Sequence, residues 1–125
     1  PLTSLETLEG EWRARLNEME RFAGSVTAHG RPLMITEYGY PALETALRRP
    51  WDETVYAPYA PSLQGALVAR VTSLLKRRIM SRRGAREGLR GALLWNWFGF
   101  GGARDHGFTL RGRVGQAMLR EALSD

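Results

Sequence analysis

Glu37 is the residue of this sequence best placed to do chemistry. It ends the run Leu33-Met34-Ile35-Thr36 and precedes Tyr38-Gly39-Tyr40. The run has no polar alternation, so it reads as a strand buried on both faces, as parallel strands are. Strand alternation puts Leu33, Ile35 and Glu37 on one face. A carboxylate at the C-terminal end of such a strand lies where parallel α/β folds build active sites. There it is costly unless paired or used. By position Glu37 is therefore either a working carboxylate or a strand-end residue bonded to a nearby Arg or to backbone.

The second group is aromatic. Trp95 and Trp97 alternate in Gly91-Ala92-Leu93-Leu94-Trp95-Asn96-Trp97, which reads as a second buried strand, with Asn96 facing the other way. An indole face suits the C–H surface of a sugar ring and its N–H can bond a hydroxyl; an indole is equally at home in a core. Trp51, Tyr38 and Tyr40 carry the same pair of readings, a sugar platform or a brace for the loop. Asp105 and His106, after the second strand, either bond a substrate or anchor their own turn. His29, before the first strand, is a turn residue with no assigned role. Two carboxyl groups roughly 5–5.5 Å apart are what a retaining glycosidase needs. The second is not apparent: Glu44, Asp52 and Glu53 lie on a loop, and Asp105 is the other carboxylate near a strand mouth.

Composition narrows the chemistry. With no cysteine, disulfides, thiolate metal sites and a Cys nucleophile are excluded. The two histidines are far apart, so no His-x-x-x-His zinc pair exists. The net charge of +5 raises a nucleic-acid reading. However, the 18 basic residues, all Arg but Lys76, are spread along the chain. Their one dense cluster, Lys76, Arg77, Arg78, Arg82, Arg83, Arg86 and Arg90, falls at a helix end, where cations complement the dipole. No apolar run approaches a membrane span. The first residues lack the basic-then-apolar pattern of a signal peptide, and the natural N-terminus is expected upstream.

Three helices must position these groups. The first is expected over about Leu5 to Ala23. Thr3 and Glu6 stand at capping-box spacing, and Leu8, Trp12, Leu16, Met19 and Phe22 form one apolar stripe. Val26 is expected to pack in the connection. A long loop, from about Pro41 to Pro61, lies at the edge of what a compact domain tolerates without function. The second helix is expected over Ser62 to Met80 with Leu63, Leu67, Val71, Leu74 and Leu75 buried, and Gly84 and Gly88 following it. The third is expected over Arg113 to Leu123 with Val114, Ala117, Met118 and Leu119 inward. Helix, strand, helix, strand, helix implies an α/β fold with parallel strands. Two strands leave open edges, and 125 residues are half of what a (β/α)8 barrel needs, about 250.

Taken in order, Pro32 to Tyr40, Arg49-Pro50-Trp51, Leu94-Trp95-Asn96-Trp97-Phe98, and Asp105-His106-Gly107-Phe108-Thr109 with Arg111-Gly112 resemble the end of a glycoside hydrolase family 113 enzyme. Those are clan A retaining (β/α)8 barrels, typically endo-β-mannanases. The resemblance covers nearly the whole chain and places residues 1–125 as the C-terminal part of one catalytic domain, from helix six to helix eight, with the N-terminal part of the barrel absent. It implies that Glu37 is the strand-seven nucleophile and that Trp95 or Trp97 borders the subsite next to the cleaved bond. Tyr38, Trp51 and Asp105 are the further candidates for substrate contact. The family's acid/base Glu, on strand four, has no counterpart here, so catalysis by these residues alone is incomplete. His106 stands where the family usually has an acidic residue.

The implied reaction is hydrolysis of β-mannan-type or related β-linked glycans by double displacement. It requires no metal or cofactor, and its partners are an oligosaccharide or polysaccharide and the upstream remainder of the barrel, with no nucleic acid or membrane. The alternatives are a degenerate or truncated barrel that binds carbohydrate or is only structural, and a nucleic-acid-binding domain using the Arg cluster.

Overall fold

A computed structural model describes residues 4–25, 30–81 and 88–124. Thr3, Val26, His29, Gly84, Arg82, Arg83 and Arg86 lie outside the described residues. In chain order the elements are α1 (Leu5–Ala23), β1 (Pro32–Tyr38), α2 (Pro61–Ser81), β2 (Gly88–Leu94) and α3 (Val114–Ser124). The strands pair directly with each other, in parallel. This is an α/β arrangement of the expected order.

The helices form where their apolar stripes predict, with adjusted ends and phases. Ser4 caps α1, its hydroxyl accepting from the Thr7 N–H. Leu8 and Leu16 are buried, Trp12 and Met19 pack at the core margin, and Phe22 is exposed, because Ala23 takes the inward position of the last turn. On α2 the buried face is wider than the Leu/Val stripe and includes Gln64, Gly65, Val68 and Thr72. On α3 the inward residues are Gly115, Leu119 and Ala122, while Val114 is exposed. The helix has turned relative to the expected phase because Gly115 crosses α2 at Gly65, backbone against backbone.

The strands are half-covered, not buried on both faces. Ile35, Tyr38, Ala92 and Leu94 pack against the helix layer. Met34 lies over Gly91 on the other face, where Met34 is 56% and Leu93 54% exposed. Helices cover one side of a two-stranded sheet, so alternate residues stay open. β2 also begins and ends three residues earlier than expected, which leaves Trp95, Asn96 and Trp97 beyond its ladder.

The connection from Pro41 to Ala60 is not structureless. It contains a 3-10 turn at Glu44–Leu47 and a bridge between Leu43 and Tyr59. Ala42, Leu43 and Ala46 are buried. Backbone bonds from Glu44 to Pro58 and from Ala60 to Ala42 close it on itself, while Trp51 and Tyr56 stay exposed.

Candidate functional site at the strand ends

The pairing register of β1 is irregular between Ile35 and Tyr38. That irregularity shifts the alternation. Tyr38 rejoins Ile35 on the helix side, its hydroxyl 2.9 Å from the Thr72 hydroxyl of α2. Glu37, expected to share the face of Leu33 and Ile35, is instead exposed at the open end of the strand. Among the described residues it makes no hydrogen bond and no ion pair. Among the described residues, neither an Arg nor a backbone group holds this carboxylate.

Glu37 opens into a cavity of about 980 Å³. Tyr38, Trp51 and Trp95 line the same cavity, as do Phe108 and the α1 residues Trp12, Glu11 and Arg15. Of the candidates named from sequence, Glu37, Tyr38, Tyr40, Trp51 and Trp95 thus converge. Trp97 and Asp105 do not line it. Glu11 and Arg15 were not legible as site residues: they read as the solvated face of an amphipathic helix, and only their i, i+4 spacing marks them as neighbours.

Each wall has a local cause. The Trp95 N–H donates to the Tyr38 carbonyl at 2.8 Å, which carries the β1–β2 contact one residue past the strand. The peptide between Trp95 and Asn96 is cis. Trp95 is 39% and Trp97 48% exposed, and Phe98 meets the Trp95 ring edge-on at 5.3 Å. On the α1 side, the Trp12 indole donates to the Tyr40 hydroxyl at 3.0 Å. Burial raises the Tyr40 phenol above its ordinary pKa, against the opposing effect of that bond, and burial raises Tyr38 likewise. Both are neutral hydroxyls at physiological pH. Tyr38 and Tyr40 brace the cleft through these bonds.

Trp51 stands out from a turn built by Asp52. One Asp52 oxygen accepts from the Thr54 N–H, the Thr54 hydroxyl and the Val55 N–H, and Arg49 lies 3.4 Å from the other. These bonds, that of the Thr54 hydroxyl foremost, lower the Asp52 pKa. An Asp accepting from its own downstream backbone is a standard turn device. It leaves the Trp51 ring, 73% exposed, projecting at the cavity rim.

Asp105 is held inside its own loop. Its oxygens accept from the N–H groups of Gly101 and Gly107, each at 2.9 Å, and Arg113 lies 3.3 Å away. The Gly101 bond foremost, then that of Gly107 and the Arg113 charge, hold the carboxyl below its usual range against the effect of burial. His106 stacks on Tyr59 with centroids 5.1 Å apart, and the Arg113 guanidinium lies over the same ring at 5.7 Å. Behind the cleft, Gln64 and Arg113 are buried polar residues that the sequence did not mark. Among the described residues no group of three or more His, Cys, Asp or Glu is arranged to hold a metal ion, and no helix is long and apolar enough to cross a membrane.

The described part of the basic cluster is engaged internally. Lys76 donates to the Leu123 carbonyl at 2.6 Å. Arg77 lies 3.9 Å from Glu9, and Arg78 bonds Glu20 and Asn17.

The chain matches no protein-family model and no curated protein sequence. Its backbone does match solved structures. One is a complex of a GH113 β-1,4-mannanase, at TM-score 0.63 and 14% identity, over 94% of this chain and 36% of that one. Another is the GH113 β-mannanase AaManA from Alicyclobacillus acidocaldarius in complex with ManMIm, at TM-score 0.64 and 18% identity, over 93% of this chain and 36% of that one. At these identities the likeness is one of fold. The chain has the fold of part of a GH113 β-mannanase and spans 36% of the length of the solved chains it matches.

Proposed function

We propose that this chain supplies the nucleophile and the aromatic wall of a retaining glycoside hydrolase acting on β-mannan-type or related β-linked glycans. It corresponds in this reading to the region from helix six to helix eight of a (β/α)8 barrel, with β1 and β2 as strands seven and eight. The observation that carries the proposal is Glu37: a carboxylate with no partner among the described residues, at the C-terminal end of a parallel strand, in one cavity with Trp51 and Trp95. Exposed indoles beside this carboxylate suit a pyranose, whose C–H face stacks on the ring while its anomeric carbon meets the oxygen.

In the double displacement, a Glu37 oxygen attacks the anomeric carbon and the bond to the leaving oxygen breaks. A second carboxylic acid protonates that oxygen, and the resulting glycosyl ester is then hydrolysed by water that the same group, now a base, deprotonates. The family resemblance puts that second group on strand four, upstream of these residues.

A mechanism-based label tests the nucleophile directly. A 2-deoxy-2-fluoro-β-mannosyl fluoride needs no protonation of its leaving group, so it reports attack without the acid. In the complete reading frame the expected result is a covalent adduct on the peptide containing Glu37, lost in Glu37→Ala together with hydrolysis of manno-oligosaccharides. Hydrolysis that survives Glu37→Ala, or an adduct elsewhere, overturns the assignment. Oligosaccharide binding with neither adduct nor hydrolysis supports the non-catalytic, carbohydrate-binding alternative.

A further inference from the structure

A side chain far from the cavity in sequence holds the two backbone segments that form one of its walls. Gln64, on the first turn of α2, is fully buried. Its amide nitrogen lies within bonding distance of four carbonyls: Tyr40 at 2.9 Å, Phe108 at 3.0 Å, Gly107 at 3.2 Å and Thr109 at 3.4 Å. Its carbonyl oxygen accepts from Arg113 at 2.9 Å. Arg113 in turn bonds the carbonyls of Gly102, Gly107 and Thr109. The orientation of the Gln64 amide is fixed by this setting. Turned over, its oxygen would face four carbonyl oxygens and its nitrogen a cation.

The tied segments belong to the cleft. Tyr40 lies three residues after Glu37, and Gly39 between them packs against the Trp95 carbonyl and the Phe108 ring. Phe108 lines the same cavity as Glu37 and Trp95. Ala42 adds a second tie, its N–H donating to the carbonyls of His106 and Gly107 at 2.9 and 3.2 Å. Among the described residues no other donor reaches the Tyr40 or Phe108 carbonyl, so Gln64 alone bridges these two groups.

We infer that Gln64 is a positioning residue for the Glu37–Trp95 cleft, fixing the segment after β1 against the segment before α3. The catalytic part of this inference rests on the proposed glycosidase reading; the positioning part does not. A displacement of about 1 Å at a reacting centre is enough to cost on the order of a hundredfold in rate. Gln64 thus bears on kcat more than on substrate affinity, because the turn that presents Trp51 is held by Asp52 and takes no bond from Gln64.

The test compares Gln64→Met, which keeps the volume and removes both donors and acceptor, with Leu119→Ala, which weakens the same α2–α3 interface away from the cleft. Both are made in the complete reading frame and assayed well below their melting temperatures. On manno-oligosaccharides, Gln64→Met is expected to lower kcat ten- to a hundredfold with KM within about threefold, while Leu119→Ala keeps kcat within about threefold. Equal kcat in the two variants overturns the inference. If the wild type hydrolyses no glycan, the glycosidase reading fails, and amide exchange decides the positioning. Gln64→Met should then speed exchange at Ala42 and across residues 107–111 at least tenfold relative to Leu119→Ala, with α1 unchanged. Equal exchange in both variants overturns it independently of activity.

Discussion

The carbonyl oxygen of Trp95 occupies the space that a Cβ on Gly39 would need. Gly39 is therefore fixed by a contact, not by backbone conformation. The residue two after the candidate nucleophile must be small so that the segment after β2 can close on it. Gly39→Ala is expected to push Trp95 away and break its N–H bond to the Tyr38 carbonyl. Overpacking of this kind costs about 1–3 kcal/mol. A thermal melt should show the loss, and acrylamide quenching of tryptophan emission should rise. An unchanged melt would mean that Trp95 moves at no cost.

Glu37→Ala separates function from stability. The carboxylate has no partner among the described residues, so its removal should change unfolding free energy by no more than about 0.5 kcal/mol. Hydrolysis should fall by several orders of magnitude, as loss of a nucleophile does. Denaturant melts of the two proteins, set beside the rates, check this. A loss above 2 kcal/mol would show that Glu37 holds the fold together.

The bare sheet face carries a further expectation. Met34 and Leu93 are more than half exposed, and among the described residues β1 and β2 each have an open edge. Open edges beside apolar surface favour self-association. The 125-residue chain expressed alone should scatter light increasingly with concentration, and Met34→Lys should reduce that scattering. A sharp, cooperative melt of a soluble monomer would contradict the expectation.

What the sequence made legible, and what it hid, follows from which interactions are local. The three helices were readable because Leu8, Leu16, Leu67, Val71 and Leu75 repeat at helical spacing and the stripe is itself the buried face. Glu37 at a strand end was readable because an unbroken apolar run, Leu33 to Ile35, precedes it. The phase of α3 was not. Hydrophobic pattern favours Val114 over Gly115, whereas the helix crossing selects the smaller residue. Nor were Gln64 and Arg113, since a polar side chain on a helix or at its start reads as solvated. Their burial depends on carbonyls up to 45 residues away, which no local pattern contains. The β2 boundary was misplaced because Gly88 read as a breaker after the helix and Trp95 and Trp97 as strand formers. The phase shift after Ile35 left no mark in the residue types at all.

Asp105 makes the loop before α3 pH-dependent. Bonds from Gly101 and Gly107, and the charge of Arg113, hold its folded-state pKa below the unfolded value of about 3.9. Its stabilising contribution is therefore complete above the unfolded pKa and is lost as pH falls through the folded one. Asp105→Asn, which removes the charge, should cost about 1–3 kcal/mol at pH 7. The gap between the two proteins should narrow below about pH 4. Urea melts at pH 7 and pH 3 check the sign, and a gap of the same size at both would show that the Asp105 charge contributes nothing.

Gly65→Ala sets two effects of known size against each other. Ala is the better helix former by about 1 kcal/mol, so on an exposed face the change would stabilise α2. At this position the new Cβ would lie 2.7 Å from the Gly115 Cα and 2.7 Å from the Met118 sulfur. Met118 is flexible and can turn away, but the Gly115 backbone cannot move without shifting α3. That movement would pull Arg113 from Gln64 and from the carbonyls that it and Gln64 hold together. Separation of packed helices should outweigh the propensity gain, for a net loss of about 1–3 kcal/mol. A melting temperature at or above the wild-type value would show that the α2–α3 crossing adapts, and that Gly65 is not required for it.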